Sequence, residues 1–240
     1  DPNAILLVLP SDHLIKKNNI FIKKIKESIH FAEDNRIITF GIIPNSPETG
    51  FGYIKSSSNN SNKKFSCLKV EEFIEKPEKK IAEKLIKDSR FSWNSGMFLS
   101  KAQVLINEIY KYNPEIIKYC KKALNHNHDD IYFEKIDSEI FNKCPNISID
   151  KSVMEKTNLA VVMPIDIGWS DIGGWKSFWE NSFKDENGNV LLGDSLEKSS
   201  KNNLIFSETK LVIGMGVNDL IIIETNDVVL VANKNYSEEV

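Results

Sequence analysis

Two carboxylates stand where a buried strand gives out. Asp12, in LPSDH, follows the apolar run ILLVL of residues 5–9, and Asp171, in GWSDIGGW, follows LAVVMPI of residues 159–165. Open α/β sheets bind ligands in the crevice beyond the carboxyl ends of their strands. Alone, each Asp also reads as the cap of a following helix. On one rim of one sheet, however, the pair would repel, and one pKa would be pushed up. A hard divalent ion removes that conflict, and Mg2+ suits it best, because it takes one or two carboxylates and completes its shell with water and phosphate oxygens; Mn2+ is the alternative ion.

An anion-binding group follows in CLKVEEFIEKP. With a period of two, Lys76 shares a strand face with Leu68, Val70 and Ile74, while Glu75 lies with Cys67 and Phe73. An ammonium on an apolar face is costly unless an anion meets it, and a ligand phosphate would do so; the plain alternative is a lysine that snorkels into water beside Pro77. PETGFGYIK adds Glu48, Gly50 and Gly52. Missing β-carbons let backbone polar groups approach a ligand, and a carboxylate can accept from sugar hydroxyls. An ordinary turn has the same composition. In WNSGMF, Asn94 carries a donor and an acceptor suited to a hydroxyl pair and Trp93 a flat apolar surface, although an edge-strand Asn beside a core Trp looks the same.

The elements that must position these groups alternate. ILLVL reads as a strand buried on both faces of a parallel sheet. Phe21, Ile22, Ile25, Ile29 and Ala32 mark an amphipathic helix, and IITFGIIP a second buried strand. Helix faces recur at Ile81, Ala82, Leu85 and Ile86 and at Ala102, Leu105, Ile106 and Ile109, with WNSGMFL extended between them, and SIDKSVMEK reads as a further helix. This is an α/β pattern. Beyond Asp185 the texture becomes β-rich: KLVIGMGV, DLIIIET and DVVLVA are strands separated by Asn-Asp turns.

Composition narrows the class. The 240 residues carry 31 basic and 34 acidic side chains, interspersed, for a net charge of −3, so no broad basic face suggests nucleic acid. Apolar runs are too short to span a bilayer, and a cytoplasmic location is expected. Cys67, Cys120 and Cys144 are odd in number and widely spaced, suiting buried thiols rather than a disulfide framework or zinc knuckle. His126 and His128 fall in NHNHDD, whose composition is that of a solvated loop.

In kind and in order, LPSDH, PETGFGYI, FIEKP, WNSGMF, SIDKSVMEKT and GWSDIGGW resemble the motifs of the mannose-1-phosphate guanylyltransferases, a branch of the sugar nucleotidyltransferases. The resemblance implies a Rossmann-like core, with a mostly parallel sheet flanked by helices, over residues 1–184, and a β-rich segment over 185–240 that could serve in homo-oligomer packing. It implies that Asp12 and Asp171 ligate Mg2+, that Glu48, Gly52, Glu75 and Asn94 contact mannose, and that Lys76 meets its phosphate. The implied reaction joins mannose 1-phosphate to GTP, yielding GDP-mannose and pyrophosphate. That family opens with a glycine-rich loop of the GGxGTRLxP kind, which this chain lacks. The expectation is therefore an N-terminally truncated piece of the enzyme, or else a sugar-phosphate binding module without the nucleotide loop.

Overall fold

The computed structural model describes residues 1–58, 67–124 and 135–239. His126 and His128 lie outside the described residues. The chain forms β1 (Ile5–Val8), β2 (Leu14–Ile15), α1 (Asn18–Glu33), β3 (Ile37–Ile42), β4 (Tyr53–Ser56), β5 (Leu68–Ile74), α2 (Lys79–Leu85), β6 (Phe91–Lys101), α3 (Ala102–Tyr112), α4 (Pro114–Leu124) and α5 (Ser138–Phe141). A π-helical turn, Asp150–Met154, leads to β7 (Ala160–Ile165), β8 (Trp169–Ser170), α6 (Trp175–Asn181), β9 (Val190–Lys198), β10 (Leu204–Met215), β11 (Leu220–Glu224), β12 (Val229–Asn233) and a final 3₁₀ turn, Lys234–Glu239. Two compact units result: residues 1–11 with 15–169, and residues 12–14 with 170–240.

In the first unit a six-stranded sheet has the order β1-β6-β3-β7-β5-β4. β3 pairs in parallel with β7, and the other ladders are antiparallel. Following the directions through these ladders, β1, β3, β4 and β7 run one way and β5 and β6 the other, so the strands are mostly parallel although most neighbours are not. β3 is buried throughout, and its pleat divides the core. Ile38, Phe40 and Ile42 join Met97, Leu99, Met163 and Ile165 beneath Phe21 and Ala32 of α1. Ile37 turns the other way, to Phe98, Val153 and Met154, with Leu105 and Ile109 of α3 against them. The result is a Rossmann-like layer of sheet between helices.

Two expectations change here. β1 is not buried on both faces: among the described residues it bonds to β6 alone, antiparallel, with Leu6, Leu7 and Val8 37–42% exposed. An apolar run reports its own chemistry, not how many neighbours it has. Ile22 also points outward from α1, at 50% exposure, and Phe21, Ile25, Ile29 and Ala32 carry the buried face.

The second unit holds a four-stranded sheet, β12-β11-β10-β9. The sequence suggested strands joined by tight turns, which holds for β11 and β12, an antiparallel pair closed where Thr225 N–H donates to the Val228 carbonyl at 2.9 Å. β9, β10 and β11 instead stack in parallel, placing Val190 and Ile221 on either side of Leu204. Parallel neighbours need long connections, so the segment is wound as a coil rather than folded back as hairpins. Stacked side-chain amides bridge its corners: Asn203 donates to Asn189 Oδ1 at 3.0 Å, and Leu220 N–H donates to Asn203 Oδ1 at 2.9 Å. Trp175, Phe178 and Trp179 of α6 pack on its apolar core.

Glu224, 1% exposed, anchors one corner. Its carboxylate accepts from the Thr209 hydroxyl at 2.5 Å, from the backbone N–H groups of Glu208, Thr209 and Lys210 at 2.9–3.1 Å, and from the Ser207 hydroxyl at 3.0 Å. These donors, led by the Thr209 hydroxyl, hold its pKa down at about 2, against an ordinary 4.5. Because the folded value is depressed, the stabilisation is present above about pH 4.5 and is lost as pH falls towards 2. Glu224→Gln is expected to lower the melting temperature at neutral pH and to flatten the acid dependence in that window; melts superimposable on the parent at every pH would contradict this.

Candidate functional site

In the first unit a polar cluster forms where β6 faces the π-helical turn. Asn94, 8% exposed, sits in the middle of β6 opposite Trp93, which faces the main core. Its Oδ1 accepts from the Thr39 hydroxyl at 3.0 Å and from Gly96 N–H at 3.2 Å, and its Nδ2 donates to Asp150 Oδ1 at 2.9 Å. Two donors on one side and a carboxylate on the other fix which way the amide points. Asp150 reaches Asn94 because Val153 and Met154, later in the same turn, are buried and bind that turn to the sheet.

Glu75 belongs to this cluster. A β-carbon on Gly52 would lie 2.6 Å from Glu75 Oε2 and 3.3 Å from both Asn94 Cβ and Phe73 Cε1, so only glycine leaves the carboxylate its place. Gly52 also accepts from Asn94 N–H through its carbonyl at 2.7 Å. Burial, and then the charge of Asp150, push the Glu75 pKa up, with Lys76 and Lys151 opposing. Burial likewise raises Asp150, against the Asn94 hydrogen bond. Two carboxyls with raised pKa values beside two lysines form a setting in which hydroxyl groups and an anion can replace lost water.

The loop before β4 is pinned from both ends. Tyr53 donates its hydroxyl to the Glu48 carbonyl at 2.8 Å. Phe51 stands edge-on between Trp93 and Trp169, with ring centroids 5.1 and 5.3 Å away. Gly50 is exposed, and Glu48 is half-buried.

In the second unit Asp12, His13 and Asp171 come together. Asp12 is 80% exposed and lies 4.0 Å from His13 Nε2. Burial lowers the His13 pKa, while the charges of Asp12 and then Asp171 oppose it, so both carboxylates act on one imidazole. Among the described residues Asp171 accepts no hydrogen bond and does not cap α6, whose N-terminal boundary is Gly174. A β-carbon on Gly173 would lie 2.7 Å from Asp171 Oδ2, too close for both to keep their places. Space beside a glycine, two carboxylates and no hydrogen bond to Asp171 among the described residues suit a hard divalent ion, which would add ligands from water and substrate. No group of three or more His, Cys, Asp or Glu among the described residues is placed to hold a metal ion, Asp12, His13 and Asp171 included, so the protein would supply the ion with the two carboxylates alone.

A family model described as Nucleotidyl transferase matches residues 1–188. The chain belongs to the nucleotidyl transferase family. A second model, MannoseP isomerase/GMP-like beta-helix domain, matches residues 195–240, over the parallel coil. The mannose-1-phosphate guanylyltransferase of Salmonella montevideo is 45% identical over 99% of this chain and 51% of its own length, and that of Escherichia coli is 42% identical over 99% and 52%. The chain thus spans about half the length of these curated relatives. A Thermus thermophilus structure described as a mannose-1-phosphate geranyltransferase aligns at a TM-score of 0.82 and 25% identity, covering 98% of this chain and 67% of that one. A Helicobacter pylori mannose-6-phosphate isomerase aligns at 0.63 and 32% identity, covering 71% and 65%.

In this nucleotidyl transferase domain, then, Glu75 and Asn94 meet, Lys76 acts electrostatically on Glu75, and Gly52 makes room for them, while Asp12 and Asp171 share the second unit. Two readings are corrected. Lys76 is not on the apolar face of a strand: β5 ends at Ile74, and Lys76 follows, exposed, at φ 47°. The period-two count also fails earlier, because a register shift lets Lys55 face Glu72 but Ser56 face Val70, which puts Val70 and Phe73 on one side and Cys67 and Ile74 on the other. Asn94 cannot offer a free acceptor and donor pair, since its oxygen is already used twice and one N–H remains. Asp150 and Lys151 were missed within SIDKSVMEK; a carboxylate three residues ahead of the apolar pair Val153 and Met154 was the available signal.

Because the folded pKa of Asp150 is raised, the native state loses stability as pH rises from the ordinary 3.8 towards that value and carries the full cost above it, with none below 3.8. Asp150→Asn, which can still accept from Asn94, is expected to raise the melting temperature at neutral pH and to leave it unchanged in acid. A variant less stable at neutral pH would contradict the assignment of burial as the cause.

Proposed function

We propose that this chain supplies the sugar-phosphate and metal-binding parts of a cytoplasmic mannose-1-phosphate guanylyltransferase, which forms GDP-mannose and pyrophosphate from GTP and mannose 1-phosphate. The observation that carries it is the cluster of Glu75, Asn94 and Asp150 beside Lys76. It combines carboxyl acceptors for sugar hydroxyls with a cation for the phosphate, in the family's motif positions. The names and 42–45% identity of the bacterial relatives support the same substrates. No helix among the described residues is long and apolar enough to cross a membrane.

In this reading Glu75 and Asp150 accept from hydroxyls of the mannose ring, and the remaining Asn94 N–H donates to the sugar. Gly52 admits the ring close to the backbone, with Glu48 and Gly50 bordering it. Lys76 pairs with the phosphate, and Lys151 adds to the positive field that acts on Glu75. An oxygen of the sugar phosphate attacks the α-phosphorus of GTP in line, a P–O bond forms there, and the bond to the β-phosphate oxygen breaks as pyrophosphate leaves. No covalent enzyme intermediate is required, and the protein acts by orienting reactants and offsetting charge. Asp12 and Asp171 would hold Mg2+, or Mn2+, whose chemistry is to neutralise phosphate charge. The exposed apolar residues Leu211, Ile213 and Met215 on β10 suit the β-rich segment to contact with a second copy.

The test is pyrophosphate release by the whole protein that carries this chain, supplied with GTP, mannose 1-phosphate and Mg2+. Lys76→Ala is expected to raise the KM for mannose 1-phosphate by about tenfold or more, the scale of one charge-assisted hydrogen bond. Asp171→Asn is expected to abolish metal-dependent turnover without unfolding the protein. Sugar-phosphate binding without pyrophosphate release would instead identify a binding module, and the proposal would be wrong.

A further inference from the structure

Asp171 sits in a turn that its own backbone does not favour. Ile172, a β-branched residue, is held at φ 46°, in the left-handed region that costs such a residue most. Strain of this kind persists only where surrounding contacts enforce it. Here the enforcing contacts are few and can be named. The Ser170 hydroxyl oxygen accepts from Ile172 N–H at 3.2 Å, closing a turn directly around Asp171. The same oxygen accepts from Asn181 Nδ2 at 3.2 Å, and Asn181 also donates to the Ser177 carbonyl at 2.8 Å. One side-chain amide thus ties the turn to the last residue of α6. At the far end of the loop, Gly174 N–H donates to the Ser177 hydroxyl at 3.2 Å, and that hydroxyl donates back to the Gly174 carbonyl at 2.9 Å.

The helix holding both ties is itself immobilised. Trp175, Phe178 and Trp179 pack into the coil's core, and Trp179 Nε1 donates to the Gly188 carbonyl at 3.0 Å. The Lys234 ammonium lies 3.3 Å from the centre of the Trp179 ring. Loop, helix and coil therefore form one supported unit, and the carboxylate of Asp171 emerges from it over Gly173 without a hydrogen bond of its own among the described residues.

We infer that Ser170 and Asn181 are positioning residues for the Asp171 carboxylate: through the shared Ser170 oxygen they hold the strained Ile172 turn that aims it. The inference rests on the reading of Asp171 as a ligand of a divalent ion. Neither residue touches the ion. They act as outer supports do, by removing alternative orientations of the group that does.

Binding of Mn2+ alone, followed from the paramagnetic resonance signal of the free ion, tests this independently of turnover. Ser170→Ala and Asn181→Ala are each expected to weaken Mn2+ binding about tenfold, the lower end of what outer-shell partners of metal ligands contribute. Because both act through one oxygen, the double variant should bind no more weakly than either single one. Ser170→Thr keeps the oxygen and should restore affinity to within about twofold of the parent, which general loosening of the loop would not do. If Asn181→Ala fails to fold, the Ser170 pair carries the test alone. Unchanged affinity in Ser170→Ala, with binding lost in Asp171→Asn, overturns the positioning role and leaves the metal reading standing. Unchanged affinity in Asp171→Asn overturns the metal reading, and the positioning role with it.

Discussion

The amide of Asn94 is the joint on which the polar cluster between β6 and the π-helical turn depends. It joins a central strand to the turn that carries Asp150, and it does so from a buried position where an unmade hydrogen bond is costly. Thr39 on the neighbouring strand and the Gly96 backbone fix its oxygen, so its nitrogen can face only the carboxyl. Everything nearby is arranged around that direction: Gly52 lacks a side chain, Glu75 occupies the space so left, and the carboxyl of Asp150 is close enough to raise the pKa of Glu75 in partial burial. The bond that orders the sheet and the bond that aims the site are here the same constraint.

The acidic pair of the second unit rests on different physics. Asp12 and Asp171 both act on His13, whose pKa is lowered by burial against the pull of the two carboxylates. Asp171 is displayed by a short loop whose unfavourable backbone is held by side-chain hydrogen bonds onto α6, and α6 is held by aromatic packing against the parallel coil. The coil is therefore more than an appendage to the nucleotidyl transferase fold. Its core carries the helix that carries the loop.

Much of this is legible in the residues alone. Asp12 is legible as a loop residue just past a strand, because the apolar run ILLVL gives way to polar sequence there, although that run is exposed rather than buried and Asp171 follows the short β8 rather than β7. Glycines in PETGFGYIK signal close approach, and Gly52 does admit Glu75 at a distance no β-carbon could share. What misleads is parity. A single register shift in β5 moves Phe73 to the face of Val70, and counting by twos cannot see it. SIDKSVMEK reads as ordinary helix, whereas its wider π-helical winding puts Asp150 beside the sheet. Alternating strands in the C-terminal segment look alike whether they fold back or coil onward, since the pleat is the same in both.

By itself the sequence determined the class of fold, the residue types at the strand ends and the order of the motifs, because burial patterns and turn residues act locally along the chain. Only the tertiary structure decided which strands have neighbours, which way Asn94 faces, where Lys76 leaves β5 and what holds Asp171. Those outcomes depend on pairing register and on hydrogen bonds between residues far apart in sequence, such as Asn94 and Asp150, and no local pattern encodes the partner.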